Sequence, residues 1–350
     1  MLARALRPVF LFATSLIISV WAFPAEPASL WPSQSEYRLG KGLSLPGTGL
    51  TIGGYTSAGF NSQTRQPWRF EVDDLSLFLT WENQGRWRLF SELEVEDALT
   101  YKEGGSPTTS ETFFSVERLY ADFIVSDALI VRFGKFLTPV GRWNLIHAAP
   151  LVWTTSRPLA TERLFDKHST GLMLHGSLPI FGKDLDYALY AEPTDELDPK
   201  SSHGGIAFNN AAGGRLLYHP GDNFEIGLSY LNFELQRKPS GRSNLVGTDF
   251  FWSRRQFEIS GEFVYRRSGG PSPNDEAELY VQGVAPLGKG FFAVGRYEFV
   301  DSPGITAHFG IGGLAYRPFS PLVLKLEYRT GVHNRRLAPN GLFTSISVLF

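Results

Sequence analysis

The 350-residue chain contains no cysteine. That excludes disulfide staples, thiolate metal sites and cysteine nucleophiles. Methionine is nearly missing as well. Two Met stand against 36 Gly and 22 Pro, a composition poorly suited to a helical bundle. Neither sign of charge is in excess, with 33 Lys and Arg facing 35 Asp and Glu. The charge balance therefore gives no support for a nucleic-acid partner, which calls for a basic surplus. Mean hydropathy is −0.11, and no stretch beyond the N-terminal region has 18 uninterrupted apolar residues. A membrane-resident form of this chain would have to be a β-barrel. Aromatic residues are abundant instead, with 8 Trp, 13 Tyr and 28 Phe. A Cys-free chain rich in glycine and aromatics points to a β protein.

The N-terminus reads as an address. Arg4 and Arg7 precede an apolar run from Val9 to Val20, and Val20-Trp21-Ala22 offers small residues at the −3 and −1 positions. Residues 1–22 are therefore expected to be a cleaved signal peptide, with Ala25 as the alternative end point. A run of about a dozen apolar residues is short of the ~20 that span a bilayer. Cleavage would remove two Arg and no acid, moving the net charge from −2 to −4. Residues 23–47, rich in Pro, Ser and Gly, are expected to form an irregular periplasmic lead-in, with a barrel over 48–350.

From Leu50 onward, segments of about ten residues alternate apolar and polar. Trp87, Leu89, Leu93 and Val95 alternate with Arg88, Glu92, Glu94 and Glu96. Phe257, Ile259, Phe263 and Tyr265 alternate with Glu258, Ser260 and Glu262. Segments around 224–230 and 322–329 repeat the pattern. Side chains on a strand point to opposite faces in turn, so one face meets an apolar medium and the other a polar one. A soluble sandwich shares the alternation, but its strands usually run five or six residues. Aromatics near segment ends fit the interfacial girdles of membrane barrels.

The links between segments alternate in length. Seven are short, from Glu82–Arg86 to Arg317–Pro321. Eight are mostly longer, including Thr138–His168, Gln236–Leu245 and Gly331–Asn340. Fifteen links join sixteen strands, with short turns on the periplasmic side and longer loops outside. Fourteen and eighteen strands are the alternatives. The alternation slips by one at Asp73-Asp74, which predicts a bulge there. The fold class is thus all-β, a transmembrane antiparallel barrel of about 16 strands.

The longest link follows the fifth strand and holds the candidate functional residues. It carries Arg142, Arg157, Arg163 and Lys167 against Glu162 and Asp166, with Lys135 just before it. Trp143, Leu151, Val152 and Trp153 would help pack such a loop against a barrel wall. We therefore expect it to fold inward between strands 5 and 6. Lys135, Arg142, Arg157, Arg163 and Lys167 would then lie at the narrowest section, facing lumen-wall residues Glu92, Glu94, Glu96, Arg118 and Arg132. An extracellular lid or a trimer latch is the alternative. A local excess of three positive charges at a constriction favours anions weakly, and wall acids limit the preference.

The run Phe133-Gly-Lys-Phe-Leu-Thr-Pro-Val-Gly-Arg-Trp-Asn144 resembles the strand-to-loop element of the phosphate-selective porin O and P family of bacterial outer membranes. That resemblance implies a sixteen-stranded porin whose loop after strand five narrows the pore, and a homotrimer. The family's arginine ladder and lysine cluster have no residue-by-residue match here, so phosphate selectivity is not carried over. The segment Leu342–Phe350, with Ile346, Val348 and Phe350 on one face, resembles the terminal strand of bacterial outer-membrane proteins. It implies outer-membrane lipid and lipopolysaccharide as surroundings, and barrel-assembly machinery contacting Phe350.

Signals for catalysis are thin. His147, His168, His175, His203, His219, His308 and His333 are scattered without metal-ligand spacing. His175 and Ser177 share a strand face, and Asp195, Glu196 and Asp198 lie in one outer loop, read as a solvated acidic stretch. No enzyme, cofactor or metal site is expected. A barrel hydrolase of lipid or peptide and a structural or adhesion barrel are the competing readings.

Overall fold

A computed structural model describes residues 36–83, 85–146, 148–193, 207–236, 238–269 and 274–350. The expected signal peptide, Asp195, Glu196 and Asp198, and His147 and His203 lie outside the described residues. Among the described residues, eighteen strands run in chain order. A short pair, β1 (Glu36–Arg38) and β2 (Gly42–Leu45), precedes sixteen long ones. These are β3 (Leu50–Gln63), β4 (Arg69–Glu82), β5 (Trp87–Lys102), β6 (Phe113–Ser126), β7 (Leu129–Leu137) and β8 (His168–Ile180). They continue as β9 (Lys183–Glu192), β10 (Phe208–Gly221), β11 (Phe224–Leu235), β12 (Lys238–Arg254) and β13 (Phe257–Ser268). The last are β14 (Asp275–Gly288), β15 (Phe291–Ser302), β16 (Ile305–Phe319), β17 (Leu322–Val332) and β18 (Gly341–Leu349).

Each long strand pairs antiparallel with the next, and β18 pairs with β3 from Leu349↔Tyr55 to Gly341↔Gln63. The sixteen strands thus form a closed barrel, which leaves no long unpaired edge. No helix among the described residues is long and apolar enough to cross a membrane. Residues 36–45, inside the lead-in expected to be irregular, form a hairpin. β2 adds to the edge of β3 at Leu43↔Ile52, just beyond the place where β18 ends.

Burial is inverted relative to a soluble protein, where charged residues are rarely buried and contiguous apolar faces rarely exposed. On β13, Glu262 is 2% exposed while its neighbour Phe263 is 40% exposed. On β17, Lys325, Glu327 and Arg329 are buried while Leu326 and Tyr328 are exposed. On β11, Ile226, Leu228 and Tyr230 face out and Ser229 and Leu231 face in. A closed barrel with polar residues inside and an apolar outer band is a transmembrane barrel.

One link departs from expectation. Gln236–Leu245 reads as a loop because it holds Pro239, Ser240 and Gly241. In the structure β12 starts at Lys238, and Leu235↔Lys238 already pairs. Continued ladder bonding outweighs the turn residues, and Gly241 takes a positive φ of 99° inside the strand. The link 138–167 between β7 and β8 is the longest described connection and contains two short 3-10 turns, Trp143–Ile146 and Leu159–Thr161.

Candidate functional site

Segment 138–167 is tied at its base and then along its length. At the base, Thr138 N–H donates to the Lys167 carbonyl at 2.8 Å. Asn144 Nδ2 donates to the carbonyls of Thr138 (2.8 Å) and Lys167 (3.0 Å), bridging both ends of the segment. Two glycines of the Phe133–Asn144 run are required by geometry. Gly134 has φ 123°, and Gly141 has φ 65°. A Cβ on Gly134 would strike the Leu119 carbonyl, and one on Gly141 would strike the Glu262 carboxylate.

Beyond its base, the segment meets strands far from β7 and β8. Trp143 N–H donates to Glu262 Oε1 on β13 at 2.6 Å, and Tyr280 OH donates to the same oxygen at 2.8 Å. Leu159 N–H donates to Glu298 Oε2 on β15 at 2.9 Å. Thr155 and Ser156 N–H donate to the two oxygens of Glu327 on β17, at 2.9 and 3.0 Å. Trp153 Nε1 donates to Glu258 Oε2 at 2.6 Å. Wall cations take the segment's carbonyls. Lys325 Nζ donates to Ala149 O (2.6 Å) and Thr154 O (3.2 Å), and Arg296 donates to Ser156 O (3.0 Å). Backbone groups removed from water need such partners, so these wall residues satisfy an otherwise costly segment.

Apolar packing reinforces the hydrogen bonds. Val140, Trp143, Val152, Leu164 and Phe165 of the segment share a buried cluster with wall residues including Phe136, Tyr190, Phe233 and Val264. Trp153 packs on Phe292, with ring centroids 4.8 Å apart. Leu151, expected to help the packing, is instead 52% exposed.

The candidate constriction residues separate into two groups. Arg142 forms an ion pair with Glu225, and its guanidinium lies 3.8 Å from the Phe251 ring centroid. Arg163 pairs with the buried Glu278 at 2.7 Å. Lys135, Arg157 and Lys167 instead line a cavity of about 710 Å³. Arg157 also donates to Asn144 Oδ1 at 2.8 Å and Thr161 Oγ1 at 3.1 Å. Burial lowers the Arg157 guanidinium pKa and Glu162 opposes the change. A guanidinium so far above neutrality keeps its charge regardless.

The candidate wall residues separate too. Glu94 and Glu96 line the large cavity. Glu92 is fully buried in an ion pair with Arg118 Nε at 2.5 Å. Arg132 binds Asp122 in bidentate fashion, at 2.7 and 3.0 Å, and its guanidinium sits 3.8 Å from the Tyr120 ring centroid. Arg118 and Arg132 line a second cavity of about 480 Å³ that also touches Asp127, His175 and Arg215.

Sequence reasoning missed Glu71, Asp73, Asp74 and Glu117 as cavity residues. The signal for two of them was the alternation slip. Asp73 and Asp74 together oppose Ser57, because the β3–β4 register shifts between Thr56↔Leu75 and Ala58↔Val72. Glu117 is the extra residue of a second shift, between Glu92↔Arg118 and Leu93↔Val116. Such bulges re-aim side chains. Among the described residues, Glu94, Glu96 and Glu117 form the one group of three carboxylates whose oxygens lie within 4.8 Å of one another, as a metal site would need.

Three of the described histidines meet acids or Tyr through a ring nitrogen. His168 Nε2 lies 2.7 Å from Glu117, His219 Nε2 2.9 Å from Asp186, and His308 Nδ1 2.7 Å from Tyr297 OH. His175 Nε2 lies 3.9 Å from Asp122, and among the described residues no hydrogen bond joins it to Ser177.

Neither a protein-family model nor a curated protein matches the chain. Solved structures do match it. OmpF of Salmonella typhi, in complex with daunomycin, superposes with TM-score 0.65 at 13% identity, covering 87% of this chain and 98% of that one. An anion-selective porin from Comamonas acidovorans gives TM-score 0.61 at 13% identity, over 86% and 99%. The outer-membrane channel DcaP of Acinetobacter baumannii gives 0.57 at 13% identity, over 88% and 99%. At these identities the likeness establishes the fold. Porins and channels of the bacterial outer membrane share it, and the resemblance to the phosphate-selective porin O and P family stays with the residues 133–144 that carry it.

Proposed function

We propose that this protein is a porin of the bacterial outer membrane, through which small hydrophilic solutes and ions diffuse passively. The observation that carries the reading is the 710 Å³ cavity left between segment 138–167 and the wall formed by β3–β6, inside a barrel with an apolar exterior. In this reading the segment is the constriction. Val152, Thr154 and Arg157 form its cavity side, and Lys135 and Lys167 stand at its base. Arg142 and Arg163 act as anchors, held on Glu225 and Glu278. Transport is downhill, with size and charge filtering at the narrow section and no covalent step.

The reading includes export with loss of residues 1–22, insertion into lipid and lipopolysaccharide, assembly through Phe350 and a homotrimeric state. One matched structure, OmpT of Vibrio cholerae, is described as a trimer form, at 10% identity and TM-score 0.56. The Comamonas porin is named anion-selective. A weak anion preference here would rest on the loop cations, and the pairing of Arg142 and Arg163 weakens that basis.

Planar-bilayer recording of the refolded protein tests the reading. Steady ohmic current is expected. A folded protein that turns over lipid or peptide and carries no current would replace the channel with a barrel enzyme. Light scattering in mild detergent should give three times the monomer mass. A monomer mass would retire the trimer alone.

A further inference from the structure

We propose that the passage prefers cations, the carboxylates on β4, β5 and β6 setting the preference; this rests on the channel reading above. The 710 Å³ cavity is lined by charges of both signs. Six wall carboxylates line it: Glu71, Asp73, Asp74, Glu94, Glu96 and Glu117. Segment 138–167 adds Glu162 and Asp166. The cationic side chains on the same lining are four, Lys135, Arg157, Lys167 and Lys325. The lining therefore carries twice as many acids as bases. His168, beside Glu117, and Arg69, paired with Glu71, soften the difference without reversing it.

Groups of both signs have partners, Asp74 on Ser57 and Glu71 on Arg69 among the acids. Lys325 is turned to the carbonyls of Ala149 and Thr154, and Arg157 to Asn144 and Thr161. Arg142 and Arg163, the other loop cations, meet acids on β11 and β14 and lie off the lining. Of the acids, Glu94 is only 5% exposed yet lines the cavity. Its Oε1 accepts from Ser76 Oγ (2.5 Å) and Tyr55 OH (3.1 Å). Its Oε2 accepts no hydrogen bond among the described residues. That oxygen stays open to the cavity, where a passing cation can meet it.

The backbone brings these acids together. Two separate register shifts place Asp73 beside Asp74 and insert Glu117 opposite the Glu92–Leu93 step. Regular alternation would have sent one residue of each pair outward. The carboxylates of such a cluster that are ionised raise the local concentration of counter-ions. The solutes favoured are small monovalent and divalent cations and compact cationic organics.

The test is the reversal potential of the refolded full-length protein in a tenfold KCl gradient at low ionic strength. A K⁺ over Cl⁻ permeability ratio of roughly three to ten is expected, as a mean potential near one kT would give. The triple variant Asp73→Asn, Glu96→Gln, Glu117→Gln should bring the ratio close to one. Wild-type current with a ratio at or below one overturns the proposal and leaves the channel reading intact. Absence of any current overturns the channel reading itself. Should the triple variant fail to fold, Glu96→Gln alone must still lower the ratio, and an unchanged ratio would move the determinant away from this wall.

Discussion

On β13, β15 and β17 the inward carboxylates Glu262, Glu298 and Glu327 each accept backbone N–H groups of segment 138–167. On β4, β5 and β6 the inward carboxylates Asp73, Asp74, Glu94, Glu96 and Glu117 line open space instead. Both sets sit on the inner surface of one barrel and are made of the same two residue types. Their roles differ because a segment from elsewhere in the chain covers one wall and leaves the other bare. A carboxylate under the segment acts as a structural acceptor, where removal orphans a donor. A carboxylate on the bare wall acts through its field, where removal changes what enters.

That contrast can be broken most forcefully at Glu262. Glu262→Ala should orphan Trp143 N–H and Tyr280 OH, at about 1–3 kcal/mol for each donor. Urea titration of folding into vesicles would read the loss. Glu96→Gln keeps an acceptor oxygen in place and should cost less than Glu262→Ala. Equal losses at the two positions would erase the distinction between the walls.

A step smaller is Glu327→Ala, which frees Thr155 and Ser156 N–H near the middle of the segment and should cost about 1 kcal/mol for each donor, the low end because both bonds are only partly buried. Limited proteolysis should cut within 138–167 sooner, and single-channel current should become noisier. Current noise and cleavage rate matching the parent would mean that Glu327 is dispensable as an anchor.

Smaller again is a pair of cation neutralisations. Lys167→Gln should shift the reversal potential further toward cations than Arg142→Gln. Lys167 lines the cavity, while Arg142 stands off it on Glu225. The reverse order would put Arg142 in the ion path and restore the simple sum of loop charges. The slightest effect is expected from salt. Raising ionic strength from 0.1 to 1 M shortens the screening length from about 10 to 3 Å. The permeability ratio should drift toward one, while the Glu262→Ala stability loss should hold, because buried contacts are screened less.

The strand pattern was readable because period two is a local property. Glu262 beside Phe263 and Glu327 beside Tyr328 announce their faces from adjacent positions. The slip at Asp73-Asp74 was readable for the same reason. The pairing of Arg142 with Glu225 and of Arg163 with Glu278 was not, since it spans 83 and 115 positions and depends on how the segment lies. Counting those arginines as free charges led to an expected anion preference. Glu117 escaped notice because its bulge shows only in the register with β5. Pro239 and Gly241 argued for a loop, and ladder bonding with β11 overrode them.

The seam between β18 and β3 sets a condition on biogenesis. Phe350 N–H donates to the Gly54 carbonyl at 2.8 Å, and Gly54 N–H returns a bond to the Phe350 carbonyl at 2.9 Å. The first and last long strands are therefore each other's partners. A product broken off between residues 333 and 340 would present β3 and β17 as two bare edges. Lipid offers no water to satisfy them, so such a fragment has no stable resting place in a bilayer. Translational errors near the 3′ end of the message would thus be exposed at once, as edges open to aggregation or proteolysis rather than as a leaky pore.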